Sequence, residues 1–472
     1  MRAIADSLVL TYQTRGSRTR AGWDAFYLAR DRFLHEQLRR AGGGFPFGTY
    51  QAPDGHTVPT WLTLPDLRQH TLVLGATGTG KSTLLELLAR ANVDRGQPFA
   101  LLDLHGDLFA RVHARLRAFG VDRVRVIDFT RPESLPSWNP LLRLPGVDIG
   151  RHVDLVVGVL KRLYAAETAS SWAWGVKIEE LTRYALRAAI ESEVPVALAD
   201  IPAFFLMPVL RARVLASAAP ETRAYFLTRF GPREQMYVSA VLNKLEPFLG
   251  STAVQRFLGG PTSTIDLLSV MDRGEILLVN LAKGYLGPTA DVMGRLLVNA
   301  LQMAALRRER TPFRNRRPYA LLLDEAHVLA ASESGLEDFL VAARKYRVAV
   351  TLAAQGLSLF PAAFRPHLLG NTGRQFFFRM PHAEARSLAH DLFEPRGDVL
   401  RDAVRPYDDV ASDPLLNGAE EESARTRELA NLPVGACYWL LKGRRYKARR
   451  IRVIASRLLT ATRFGDGQRP CP

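Results

Sequence analysis

The amino-acid sequence predicts an α/β protein with a mostly parallel central sheet that is interrupted by an all-helical insertion. Three observations carry this. Over residues 71–127, short apolar runs of strand length alternate with amphipathic stretches of helix length, the pattern of parallel strands joined by crossover helices. From 148 to 258 the strand signals stop and helical patterns follow one another. From 275 to 378 the strand runs return, so a sheet begun before the insertion is completed after it.

Taken in order, residues 1–65 read as a small N-terminal module, with a helix-like stretch over 23–40 ended by Gly42, Gly43 and Gly44. Residues 66–147 hold the first part of the core, with strands predicted over 71–74, 99–102 and 123–127 and helices over 82–95 and 106–119. The insertion, residues 148–265, carries helices predicted over 148–164, 172–191, 202–218 and 234–249. Residues 266–400 supply the second part of the core. Its strands are predicted over 275–279, 319–323, 348–352 and 375–378, and its helices over 291–308 and 335–346. Residues 401–472 form a basic C-terminal segment with β-like runs at 437–441 and 450–455.

Charge narrows the class of partner. The 63 Lys and Arg against 47 Asp and Glu leave a net +16, which favours a polyanion, nucleic acid before an anionic membrane surface. No apolar run approaches the ~18 residues of a bilayer span, and the first residues lack the apolar stretch of a signal peptide. A soluble, cytoplasmic protein without an integral membrane segment is expected. Cys437 and Cys471 are too few for a disulfide framework or a four-thiolate zinc site and are expected to be free thiols.

The most specific motif is Gly75-Ala76-Thr77-Gly78-Thr79-Gly80-Lys81-Ser82, entered by an apolar strand and left by an amphipathic helix. Glycines let backbone N–H groups turn inward on phosphates. Lys81 would bridge the β- and γ-phosphates, the Ser82 hydroxyl would bind Mg²⁺, and Thr83 sits where the helix directs its N-terminus at the anion. A nucleotide, ATP with Mg²⁺, is the expected ligand.

A second element is the apolar run Leu321-Leu322-Leu323 ending in Asp324-Glu325, two carboxylates beyond the carboxyl end of a parallel strand, where ligands bind in such sheets. Asp324 would hold Mg²⁺ and Glu325 would deprotonate the attacking water. Gln355 ends the next strand and is a candidate to sense the γ-phosphate. Asp103-Leu104-His105-Gly106-Asp107 superficially resembles a metal cluster, but its carboxylates are expected to shape a loop or cap the following helix. Two basic runs are candidate phosphate tracks: Lys442, Arg444, Arg445, Lys447, Arg449, Arg450, Arg452 and Arg457 with Tyr446 interleaved, and Arg307, Arg308, Arg310, Arg314, Arg316 and Arg317. Each has the alternative of being a solvated basic face.

With these pieces placed, residues 70–445 resemble the FtsK/HerA superfamily of ring-forming DNA-pumping ATPases, in particular its HerA-like and conjugative coupling (TraG/TraD-like) branches. Besides the phosphate loop, the signs are Trp138-Asn139-Pro140-Leu141, Trp174-Gly175, Leu278-Val279-Asn280-Leu281, Leu323-Asp324-Glu325-Ala326, Ala343-Arg344-Lys345-Tyr346, Gln355, and Asn371 with Phe378-Arg379. The resemblance implies a RecA-like core, a homo-oligomeric, hexameric ring and sequence-independent DNA binding. It also implies an arginine reaching the ATP site from the neighbouring subunit, with Arg344 the first choice and Arg379 the second. The chain departs from the family in reading Asp-Leu-His at 103–105 where relatives have Asp-Pro-His, and in lacking membrane helices at its N-terminus. These point to a soluble translocase working with a separate nuclease or secretion channel. Two alternatives are a DEAH-box helicase, since Asp324-Glu325-Ala326-His327 spells that tetrapeptide, and an ATP-gated assembly scaffold. The helicase reading lacks the second arginine-rich block of a tandem core, and His327 then simply starts a helix.

Overall fold

The computed structural model describes residues 44–51, 57–143, 146–161, 175–329, 336–393, 418–441 and 449–453. The helix expected over 23–40, Trp174, the basic residues Lys442, Arg444, Arg445, Lys447 and Arg457, Tyr446 and Cys471 lie outside these residues. Along the chain the strands are β1 (Gly44–Gln51), β2 (Thr57–Thr63), β3 (Thr71–Leu74), β4 (Phe99–Asp103), β5 (Val124–Asp128), β6 (Ile276–Asn280), β7 (Tyr319–Leu323), β8 (Val348–Ala354), β9 (Arg374–Phe378), β10 (Ala436–Leu441) and β11 (Arg449–Val453). Two compact units emerge, one of residues 1–69, 73–96 and 373–472, the other of residues 70–72 and 97–372.

In the second unit the strand order is β8-β7-β4-β6-β5, and all four pairings are parallel. Every residue of β7 and β8 is buried, as their almost unbroken apolar sequences require of strands covered on both faces. Parallel pairing has a chemical consequence. It brings Asp103, Asp128 and Asn280 at the strand ends, and Asp324 and Gln355 just beyond them, to one edge of the sheet.

Between β5 and β6 the chain is helical, as predicted, in Ile149–Lys161, Val176–Glu191, Ile201–Leu206, Pro208–Ala216, Pro220–Thr228, Pro232–Leu249 and Thr252–Leu258. The single helix expected over 202–218 is two. Pro208 has no N–H to continue a helix and pushes Met207 into an extended conformation (φ −108°, ψ 102°), so it ends one helix and starts the next. The helix expected over 335–346 likewise ends early, at Ala342, and tightens into a 3₁₀ turn over Ala343–Tyr346. Trp138 and Asn139 fasten the insertion at its root. Trp138 packs on Phe257, and the Asn139 amide donates to the carbonyls of Val196 (2.9 Å) and Pro261 (3.0 Å).

The first unit orders its strands β2-β1-β11-β10-β9, all antiparallel, with β3 following β9. β1 and β2 were not anticipated. Pro46 and Gly48 break the apolar alternation of β1, and the ladder shifts register between them, yet Phe45 and Phe47 are buried. Phe47 meets the edges of Phe376 and Trp439 at centroid distances of 6.0 and 5.2 Å. The fold class is α/β as predicted, with the parallel strands concentrated in the second unit. Cys437 is a buried free thiol whose pKa burial pushes up. Among the described residues no helix is long and apolar enough to cross a membrane.

The burial of His70 was not foreseen in the sequence. His70 Nδ1 accepts the Val350 N–H at 2.9 Å, so the ring enters the core neutral. Burial, reinforced by the Arg344 guanidinium, depresses its pKa to about 4 against the opposing pull of the Leu340 carbonyl. A folded value below the unfolded one gives stability that is present above pH ~6.5 and lost as pH falls toward 4. The loss is on the order of 3 kcal/mol. Urea unfolding at pH 7 and pH 4.5 should show it, with a smaller drop for His70→Gln; an equal drop in that variant would contradict the assignment.

Candidate active site

Where β3 ends, the chain turns through Gly75 to Gly80 and enters the helix Lys81–Asp94. Three hydrogen bonds fix the turn: the Ala76 N–H donates to the Arg379 carbonyl (2.8 Å), the Thr79 hydroxyl to the Ala76 carbonyl (2.7 Å), and the Gly435 N–H to the Thr79 carbonyl (2.9 Å). Glycine is obligatory at two places. A Cβ on Gly75 would lie 2.5 Å from the Phe378 Cβ, and Gly80 holds φ 120° with the Phe378 ring and the Gly435 backbone closing on it.

The helix begins without a side-chain cap and without an acidic residue in its first turn, so its positive end is left for an anion. Lys81 is buried, and its Nζ donates to the carbonyls of Gly75 (2.6 Å) and Ala76 (3.1 Å). Thr77 and Gly78 are exposed, and Ser82 and Thr83 partly so. A glycine-rich backbone turn, an uncapped helix end, an ammonium and a hydroxyl fit the phosphates of a nucleotide with its Mg²⁺.

In the second unit Asp324 and Glu325 are buried at the end of β7. Asp324 is anchored by its N–H, which donates to the Leu102 carbonyl at 3.1 Å. Glu325 adopts φ 49°, a left-handed conformation that costs a residue with a side chain about 1–3 kcal/mol and that clusters at functional sites. Its N–H donates to Asp324 Oδ1 at 3.1 Å. The Gln355 amide donates to Glu325 Oε1 at 3.1 Å, so two residues singled out separately in the sequence meet. A third residue joins them: His327 Nδ1 lies 3.4 Å from Glu325 Oε2.

Asp103 caps a helix. Its carboxylate accepts the N–H groups of His105 (3.0 Å) and Phe109 (2.8 Å), closing the first turn of the helix Asp107–Ala118. Among the described residues no group of three His, Cys, Asp or Glu is arranged to hold a metal ion. Arg344 is exposed on the 3₁₀ turn, with a long 3.5 Å contact from its guanidinium to the Asn371 carbonyl. Arg379 is exposed as well, and its carbonyl braces the phosphate loop.

The basic run before β7 is in part a correction. Arg308 is fully buried; it pairs with Asp272 (2.8 Å) and donates to the carbonyls of Arg317 (2.9 Å) and Tyr346 (3.2 Å). Arg316 is buried among the carbonyls of Thr311, Lys345 and Glu309. These two guanidiniums serve as cross-braces between loops and are not available as a phosphate track. Of the other run, Arg450 pairs with Glu428 at 3.4 Å at the surface and Arg452 is exposed.

The close approach at Gly75 yields a test. Gly75→Ala should lower stability by about 1–3 kcal/mol, the cost of overpacking, and reduce nucleotide affinity. Thermal denaturation with and without Mg-ATP measures both; an unchanged melting temperature and affinity would show that the contact with β9 does not shape the loop.

Residues 45–154 match the family described as helicase HerA, central domain. No curated protein sequence matches the chain. Among solved structures it is similar to the plasmid coupling protein TrwB in complex with ADP and Mg²⁺, with TM-score 0.60 and 18% identity over 84% of this chain and 87% of that one. An unbound form of TrwB, a bacterial conjugative coupling protein, matches with TM-score 0.56 and 18% identity over 84% and 86%. VirB4 of Thermoanaerobacter pseudethanolicus matches with TM-score 0.56 and 15% identity over 88% of this chain and 97% of that one. Residues 45–154 thus match the HerA central-domain family, and the chain as a whole shares the fold of TrwB and VirB4.

Proposed function

We propose that this protein hydrolyses ATP with Mg²⁺ and uses the energy to move DNA, acting as a homo-oligomeric, hexameric ring on the cytoplasmic side of a DNA-transfer or DNA-processing system. The observation that carries the reading is the phosphate loop: a backbone cradle closed by Gly75 and Gly80 with the buried Lys81 folded onto it. The fold shared with TrwB, whose structure holds ADP and Mg²⁺, supports the nucleotide. The net charge of +16 supports a polyanionic track.

In this reading the N–H groups over 75–83 surround the phosphates, and Lys81 exchanges its carbonyl partners for the β- and γ-phosphate oxygens. Ser82 and Asp324 would each be ligands for Mg²⁺, which would supply positive charge to offset that building on the transferring phosphoryl group. Glu325 takes the proton of the attacking water, and Gln355 reads whether the γ-phosphate is present. Arg344, exposed on a 3₁₀ turn, reaches the site of a neighbouring copy; Arg379 is the alternative. A separate nuclease or secretion channel uses the movement.

ATP turnover measured with and without duplex or single-stranded DNA tests the proposal. Turnover should rise several-fold with DNA at low salt, and the stimulation should fade toward 200 mM salt as counterions compete for the backbone contacts. No stimulation by either form of DNA at low salt would overturn the motor reading.

A further inference from the structure

The two oxygens of Glu325 are treated differently by their surroundings. Oε1 accepts the Gln355 amide at 3.1 Å. Oε2 is buried, receives no hydrogen bond among the described residues, and faces His327 Nδ1 at 3.4 Å. That imidazole is itself held, with Phe360 edge-on to its ring at a centroid distance of 6.3 Å. The backbone contributes too, because the left-handed conformation of Glu325 (φ 49°) lets the chain turn sharply into the short helix Ala326–Leu329, which brings His327 back to the carboxylate two residues before it.

We propose that His327 is a positioning residue for the base. It acts through Glu325, holding Oε2 as the proton-accepting atom while Gln355 ties down Oε1. An ionised carboxylate only accepts hydrogen bonds, so the Nδ1 facing it carries the hydrogen, a tautomer inferred from its partner. The carboxylate is then gripped from both sides in one orientation, with Oε2 unspent until water reaches it. Proton abstraction depends on such orientation because a carboxylate free to rotate presents the wrong lone pair for part of the time. The gap of 3.4 Å is longer than a formed hydrogen bond, which leaves room for the pair to tighten when the site is loaded.

This inference rests on the ATPase reading above, and the experiment separates the two. Steady-state ATP turnover is measured for the wild type, Lys81→Ala, His327→Leu and His327→Asn, with the melting temperature of each recorded. His327→Leu should lower kcat roughly 10- to 100-fold, part of the 100- to 10,000-fold that general-base catalysis typically contributes. KM for ATP should stay at the wild-type value. His327→Asn keeps an N–H near the place of Nδ1 and should restore most of kcat, which a packing role for the ring would not do. Wild-type turnover that survives Lys81→Ala would defeat the ATPase reading. Turnover abolished by Lys81→Ala but unchanged in His327→Leu would defeat the positioning role alone, as would equal losses in the leucine and asparagine variants.

Discussion

The first unit depends on one close approach of backbone to backbone. Gly75 sits so near the end of β9 that a single Cβ would fall 2.5 Å from the Phe378 Cβ. That proximity lets the Ala76 N–H reach the Arg379 carbonyl, and the Gly435 N–H, from the turn before β10, takes the Thr79 carbonyl on the other side. The loop is therefore shaped by two segments, around Arg379 and Gly435, that follow it far along the chain. These bonds, with that of the Thr79 hydroxyl to the Ala76 carbonyl, hold the backbone of the loop in one arrangement.

The second unit solves a different problem. It has to bring carboxylates and amides from distant parts of the sequence to one place, and a parallel sheet does so because every strand ends on the same edge. Asp103 at that edge is used to cap a helix, and Asn280 ties the edge together by donating to Asp128 at 2.8 Å. Asp324, Glu325 and Gln355 stand just beyond the strand ends at that edge. Glu325, like Ala282 and Arg347, has a positive φ, and its buried carboxylate is restrained by neighbours just beyond β8 and from the turn after β7.

Much of this was legible in the sequence, for reasons that differ by element. Strands β3, β4 and β6 to β10 could be read because they are largely buried runs bounded by polar residues, β5 and β11 because their apolar residues alternate (Val124 and Val126; Ile451 and Val453), and the phosphate loop because its glycines have a geometric task. β1 could not, since Pro46 and Gly48 hide an alternation whose buried side is Phe45 and Phe47. Pro208 was visible as a helix starter and was overlooked. Arg308 and Arg316 read as surface charge because nothing local marks them as buried; their partners are carbonyls of Arg317, Tyr346 and Lys345 on other turns. His327 was read as the first residues of a helix, and only the left-handed turn at Glu325 brings its ring to the carboxylate.

The central claim is the proposed role of Glu325 as the base that takes the proton of the attacking water. Single-turnover cleavage of ATP bound in advance to Glu325→Gln, with Mg²⁺ present, tests this most directly. The account predicts that this variant binds ATP as the wild type does and keeps it intact over many wild-type turnover times. Cleavage at the wild-type rate would contradict it, and the base would have to be sought elsewhere.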